Sequence, residues 1–192
     1  MIVTKFKRHS IRLRDYDYSE PGAYFLTVCT KERERLFGEI NQGEMKLNGA
    51  GKIVQSIWVQ LPKRFPNIEL NEFVIMPNHV HGIISILDLN VGAGFPRPIK
   101  MSNNPSVRGA VTAPLQSGSL GQIVAYFKYQ STKQINLLRN MPGVPIWQRN
   151  YYEHVIRDEH ELFEMRQYTQ ENPLKWDLDP ENPLREFNDT ES

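Results

Sequence analysis

The chain has 192 residues, 40% of them hydrophobic, with a formal net charge of +1, the size of one compact domain with extensions and enough apolar material for a core. No apolar run approaches the roughly 18–20 residues of a bilayer-spanning helix, and no apolar segment of the secretory kind follows the basic N-terminus. A single cysteine, Cys29, excludes a disulfide framework within the chain and suits a cytoplasmic location.

The small net charge hides an uneven distribution. Residues 1–14 carry five Lys/Arg and no acid, and residues 89–152 carry seven Lys/Arg (Arg97, Lys100, Arg108, Lys128, Lys133, Arg139, Arg149), again with no acid. After Trp176 the chain turns acidic, with Asp177, Asp179, Glu181, Glu186, Asp189 and Glu191 against Arg185. A long acid-free stretch suits a polyanion, because each phosphate contact releases counterions. It suits a solvated basic face equally well. This divides the chain into a basic arm (1–20), a folded domain (21–176) and an acidic tail (177–192).

In chain order, AYFLTVCT at 23–30 is β-branched and aromatic after Pro21-Gly22 and predicts a strand. Residues 36–40 and 44–47 flank Asn41-Gln-Gly43 as a hairpin. Asn48 is placed to cap a helix over 49–64, where Ile53, Ile57 and Leu61 recur every four residues and Pro62 marks the end. Residues 68–76 and 79–87 read as two strands apolar on both faces, as in the centre of a sheet. The Gly-, Pro-, Ser- and Asn-rich stretch 90–118 predicts a long mobile loop. Ser119 and Gln122 form a capping-box pattern opening a helix over 119–140. Residues 146–147 and 152–156 are short extended candidates. Asp158 and Glu161 then open a last helix running to Asn172, where Pro173 disfavours helical geometry. Strands joined too tightly for parallel crossovers, with interleaved helices, give an α+β fold with a largely antiparallel sheet.

Two groups of residues can carry chemistry. In MPNHVHG at 76–82, His79 and His81 stand at i and i+2 of a strand, so both imidazoles face one side and can chelate a divalent metal, while Val80 anchors the other side. The plain alternative is two unrelated histidines beside a turn. In the last helix Leu162, Met165, Tyr168 and Asn172 fall on one face. A phenol with a pKa of about 10 is a poor nucleophile by itself, but beside a metal-bound phosphate Tyr168 can attack to form a phosphotyrosine, and Asn172 can offer a third metal ligand. The alternative is a half-buried core tyrosine. Tyr126 and Tyr129 are rivals in the preceding helix, and WQRNYY at 147–152 mixes aromatic and basic residues as base-stacking surfaces do. His154 reads as a structural hydrogen-bonding group.

Together, FVIMPNHVHG at 73–82, GQIVAYFK at 121–128, IWQRNYYEHVIR at 146–157 and YTQENP at 168–173 resemble the REP-associated tyrosine transposases, relatives of the single-tyrosine insertion-sequence (HUH) transposases, in order and from about residue 23 to 176. The resemblance implies a ferredoxin-like, RRM-like sheet. It implies a catalytic Mg or Mn on His79 and His81, Tyr168 as nucleophile, and Asn172 as third ligand where insertion-sequence members usually carry Gln. It implies cleavage and rejoining of single-stranded DNA at hairpins through a 5′-phosphotyrosine, with Lys128, Lys133, Arg149 and Arg157 as candidate backbone contacts. Relatives act as swapped dimers or as monomers, so a homodimer is open. The competing readings are a non-catalytic nucleic-acid-binding module of the same fold, a phosphoester hydrolase, and a replication initiator or relaxase. A histidine-triad hydrolase would need a third histidine where Ile83 stands.

Overall fold

A computed structural model describes residues 20–88 and 118–184. Residues 1–19 of the expected arm, residues 90–117 of the loop expected at 90–118 and residues 185–192 of the expected tail lie outside the described residues. The elements are β1 (Gly22–Cys29), a hairpin of β2 (Gly38–Asn41) and β3 (Glu44–Leu47), α1 (Gly49–Arg64), β4 (Ile68–Ile75), β5 (His79–Ile86), α2 (Leu120–Arg139), β6 (Tyr152–Ile156) and α3 (Glu159–Glu171). Four strands form one antiparallel sheet in the order β4-β5-β1-β6. With the hairpin set aside, the succession β1-α1-β4-β5-α2-β6 is the β-α-β-β-α-β arrangement of a ferredoxin-like fold, as expected. Among the described residues no helix is long and apolar enough to cross a membrane.

Strand alternation sorts the sheet into two faces. Tyr24, Leu26 and Val28 of β1 and Val80, Ile84 and Ile86 of β5 meet Val54, Trp58 and Leu61 of α1 and Ile123 and Phe127 of α2 in the main core. The opposite face carries Phe25, Ile83 and Ile156, which pack on Leu162 and Met165 of α3. His79 and His81 share the parity of Ile83 and so look toward the α3 side.

The local signals account for the element ends. The Asn48 side chain accepts from the Gly51 amide, and α1 runs through Pro62, whose missing N–H breaks only one bond in its last turn, to Arg64. Both bonds of the Ser119–Gln122 capping box form, and Asn140 closes α2 in the left-handed conformation. Gln42 and Gly43 both have positive φ, the geometry of a tight hairpin turn. Two expectations change. β4 is an edge strand, half-exposed along most of its length, and the polar residues Glu69, Asn71 and Glu72 suit an edge rather than a centre. Pro173 does not drive Asn172 from helical geometry. Asn172 keeps φ −57° and ψ −41°, and Pro173 opens a 3-10 segment, Pro173–Leu178, with its ring at the first position, where no N–H is needed.

One glycine sets how closely the main core approaches the histidine strand. A Cβ on Gly82 would stand 2.3 Å from Cζ2 of the buried Trp58 indole. Gly82→Ala should therefore overpack the α1–β5 contact and lower stability by about 1–3 kcal/mol. Urea denaturation checks this, and an unchanged midpoint would contradict the close approach.

Candidate metal centre and its tyrosine

β5 begins directly after the Pro77-Asn78 turn, which the Met76 amide closes by donating to the His79 carbonyl (2.8 Å). His79 and His81 are almost wholly buried. Each ring is oriented through Nδ1: His79 by Asn78 Oδ1 and His81 by Thr27 Oγ1, both at 2.8 Å. The Asn78 amide is itself fixed, since Nδ2 donates to the carbonyls of Arg33 (3.2 Å) and Glu181 (2.7 Å). Its oxygen can only accept, so the His79 proton sits on Nδ1 and Nε2 carries the lone pair. The two Nε2 atoms are 3.0 Å apart. Phe25 stacks on His81 and Trp176 on His79. Two nitrogens held this close, one of them a fixed acceptor, need a proton or a cation between them.

A third group joins them. Asp179 is buried, and its Oδ2 lies 3.8 Å from His79 Nε2 and 3.9 Å from His81 Nε2. Oδ1 accepts from the Glu181 amide at 2.6 Å, whereas Oδ2 receives no hydrogen bond from the described residues. Burial raises the Asp179 carboxyl, but the two imidazoles and the Glu181 amide outweigh it and hold the group below the usual carboxylate range. His79, His81 and Asp179 form a buried group that can hold a metal ion.

Tyr168 reaches the same place from α3. Its hydroxyl is 3.5 Å from His81 Nε2, a contact longer than a good hydrogen bond, and its ring meets His81 and Phe25 edge-on. Leu162 and Met165, buried about two turns and one turn earlier, fix that face of the helix against the sheet. Asn172, one turn on, is 3% exposed, and its Oδ1 receives no hydrogen bond from the described residues. All of these side chains belong to one chain.

The remaining expected residues lie elsewhere. Lys128 does not stand free for a phosphate. Its ammonium donates to the carbonyls of Gln148 (2.9 Å) and Asn150 (3.0 Å) and lies over Tyr151, and burial pushes its pKa down to about 8. Lys133, Arg149 and Arg157 are exposed. Lys128, Lys133, Tyr126 and Tyr129 all ride on α2, across the sheet from the histidines, so neither rival tyrosine meets the imidazoles. Tyr126 packs instead on Phe65. Trp147 is not a stacking platform: it is buried on Phe37 and Phe127 and donates to Ser131 Oγ. His154 pairs with Glu161.

Sequence reasoning missed Asp179, Thr27 and Asn78. Asp179 was one acid among several in a presumed tail. Asn78 directly precedes the first histidine, and Thr27 follows from pairing β1 to β5, which sets it opposite His81. Thr27→Val keeps the shape, strips the Nδ1 partner from His81 and should weaken divalent-metal affinity about 10–100-fold. Isothermal titration with Mn checks this; unchanged affinity would show that Thr27 does not orient the ring.

Fold and site together define a ferredoxin-like protein with a buried His-His-Asp group faced by a helix tyrosine. No protein-family model matches the chain. It belongs to one family with a Haemophilus influenzae protein named "Uncharacterized protein", 40% identical over 173 residues, 90% of this chain and 91% of that one. A second Haemophilus influenzae protein, a "Putative REP-associated tyrosine transposase", is 24% identical over 169 residues, 83% of this chain and 74% of that one. Among solved structures, a REP-associated tyrosine transposase bound to a REP hairpin superposes with a TM-score of 0.48 at 17% identity, covering 90% of this chain and 74% of that one. A "putative transposase" from Deinococcus radiodurans gives 0.41 at 18% identity, covering 85% and 95%.

Proposed function

We propose that this chain binds single-stranded DNA hairpins and cleaves and rejoins them through a covalent 5′-phosphotyrosine on Tyr168. The observation that carries the reading is the 3.5 Å approach of the Tyr168 hydroxyl to the buried imidazole pair. A core tyrosine has no need of that neighbour, and an attacking phenol does.

His79 and His81 would hold a divalent metal, with Asn172 a further candidate ligand. The ion would be Mg or Mn, the metals this reaction class uses, although imidazole donors accept other divalent ions as well. When bound, such an ion polarises a phosphoryl oxygen and offsets charge developing on the phosphate. The chain's own residues do the rest. Asn78 holds His79 in one tautomer and Thr27 orients the His81 ring, Phe25 and Trp176 exclude water from them, and α3 presents the phenol. The Tyr168 oxygen forms a bond to phosphorus, the bond to the 3′ oxygen breaks, and the phenolic proton is replaced by one gained on the released 3′-hydroxyl. Attack by a 3′-hydroxyl on the phosphotyrosine reverses the step and rejoins strands without a nucleotide energy source.

Lys133, Arg149 and Arg157 are exposed cations for the DNA backbone, while Lys128 would act by holding residues 148–150 in place. Nucleophile and histidines share one chain, so the site requires no second copy even if the protein forms a homodimer. A cytoplasmic location gives access to DNA. A non-catalytic binding module would share the acid-free stretch but gives no role to the phenol–imidazole contact. Incubating end-labelled single-stranded hairpins with the chain and Mn separates the two: site-specific nicks are expected, and binding without any nick would contradict the catalytic reading.

A further inference from the structure

We infer that Asp179 is the anionic ligand of the metal centre, delivered by the segment after α3. This rests on reading the histidine pair as a metal site, and it adds a ligand that the helix-borne Asn172 does not provide. Geometry comes first: Oδ2 is nearly equidistant from the two Nε2 atoms, at 3.8 and 3.9 Å, and receives no hydrogen bond from the described residues. An unsolvated carboxylate oxygen facing two imidazoles is costly unless a cation neutralises it.

The scaffold around Asp179 serves its placement. Arg33 pairs with the buried Glu181 carboxylate (3.1 Å) and donates to the Pro180 carbonyl (3.3 Å). Arg35 donates to Asn182 Oδ1 and lies over Trp176, and Asn182 Nδ2 returns to the Trp176 carbonyl. Asn78 joins the two halves, because one amide orients His79 through its oxygen and holds the Glu181 carbonyl through its nitrogen. The residue that aims one ligand thus anchors the strap that carries another. Glu181 is matched by Arg33, which leaves the Asp179 carboxylate as the strap's charge toward the imidazoles. Two imidazoles and one carboxylate would make a mixed nitrogen and oxygen donor set for a divalent ion. The competing account is an ion pair between Asp179 and a protonated imidazole, with no part in metal binding.

Asp179→Asn separates them. Its Oδ1 can still accept from the Glu181 amide, but an NH2 replaces the facing oxygen and cannot coordinate. Metal affinity is read by Mn electron paramagnetic resonance, following loss of the free-ion signal on titration of metal-stripped full chain. His81→Ala should abolish saturable binding. Asp179→Asn should weaken it tenfold or more, and Asn172→Ala by less. Mn should also slow hydrogen exchange of residues 179–182 in the wild type and not in Asp179→Asn. A loss below tenfold in Asp179→Asn, or a greater loss in Asn172→Ala, overturns the assignment. If melting in chelator shows Asp179→Asn unfolded, Arg33→Ala replaces it: the carboxylate stays, the strap loosens, and unchanged Mn affinity would count against the inference. A wild type that binds Mn through Asp179 yet forms no DNA adduct would sink the transposase reading alone. A wild type that binds no Mn would remove the metal site and this assignment together.

Discussion

Tyr168→Phe should lose single-strand nicking by at least about 10³-fold while keeping hairpin affinity within about twofold. Removing a nucleophile removes the bond-forming atom, so no other group compensates, as with other covalent catalysts. The ring's packing survives, because Phe retains the edge contacts to His81 and Phe25 while giving up the long hydroxyl contact to His81. Affinity should persist because DNA binding depends chiefly on phosphate contacts by basic residues elsewhere. Gel-shift and nicking assays on the same preparation measure both. Retained nicking in Tyr168→Phe, with loss in Tyr126→Phe, would move the nucleophile to the other side of the sheet.

The second large effect concerns the imidazoles. His81→Ala deletes one of two nitrogens 3.0 Å apart and leaves Thr27 Oγ1 without its partner. A metal contributes several kcal/mol to stabilising phosphoryl charge, so nicking should fall by about 10³-fold or more, and chelator should impose the same loss on the wild type. Linkage supplies a readout independent of catalysis. An ion at about 100 times its Kd stabilises the fold by about 2.7 kcal/mol, which in a domain of this size raises the melting temperature by about 5–10 °C. The wild type should show that rise with Mn and His81→Ala should not. Equal melting shifts in both proteins would place the ion elsewhere.

The sequence made some of this architecture plain and hid the rest for identifiable reasons. Period-2 alternation sets His79 and His81 on one face, and the 3–4 spacing of Leu162, Met165 and Tyr168 sets the phenol against it; both are local regularities, and both reappear in the fold. The caps at Asn48, Ser119 and Asp158 were legible because side chain and amide lie three residues apart. The edge position of β4 was not, since strand order is a long-range property and IELNEFVI mixes apolar with polar residues. Trp147 was misread because an aromatic beside a basic residue looks the same in sequence whether it faces solvent or Ser131. Asp179 was hidden most deeply. Nothing within its own segment separates it from its acidic neighbours, and its place is set by Arg33, Arg35 and Asn78, between about 100 and 150 residues earlier in the chain.

The central claim is covalent and can be weighed directly. Single-stranded hairpin DNA is incubated with the full chain and Mn, quenched, and digested for peptide-level mass spectrometry. The account predicts a nucleotide adduct on the peptide containing Tyr168, absent in chelator. An adduct on any other residue, or cleaved DNA with no protein adduct at all, would contradict it.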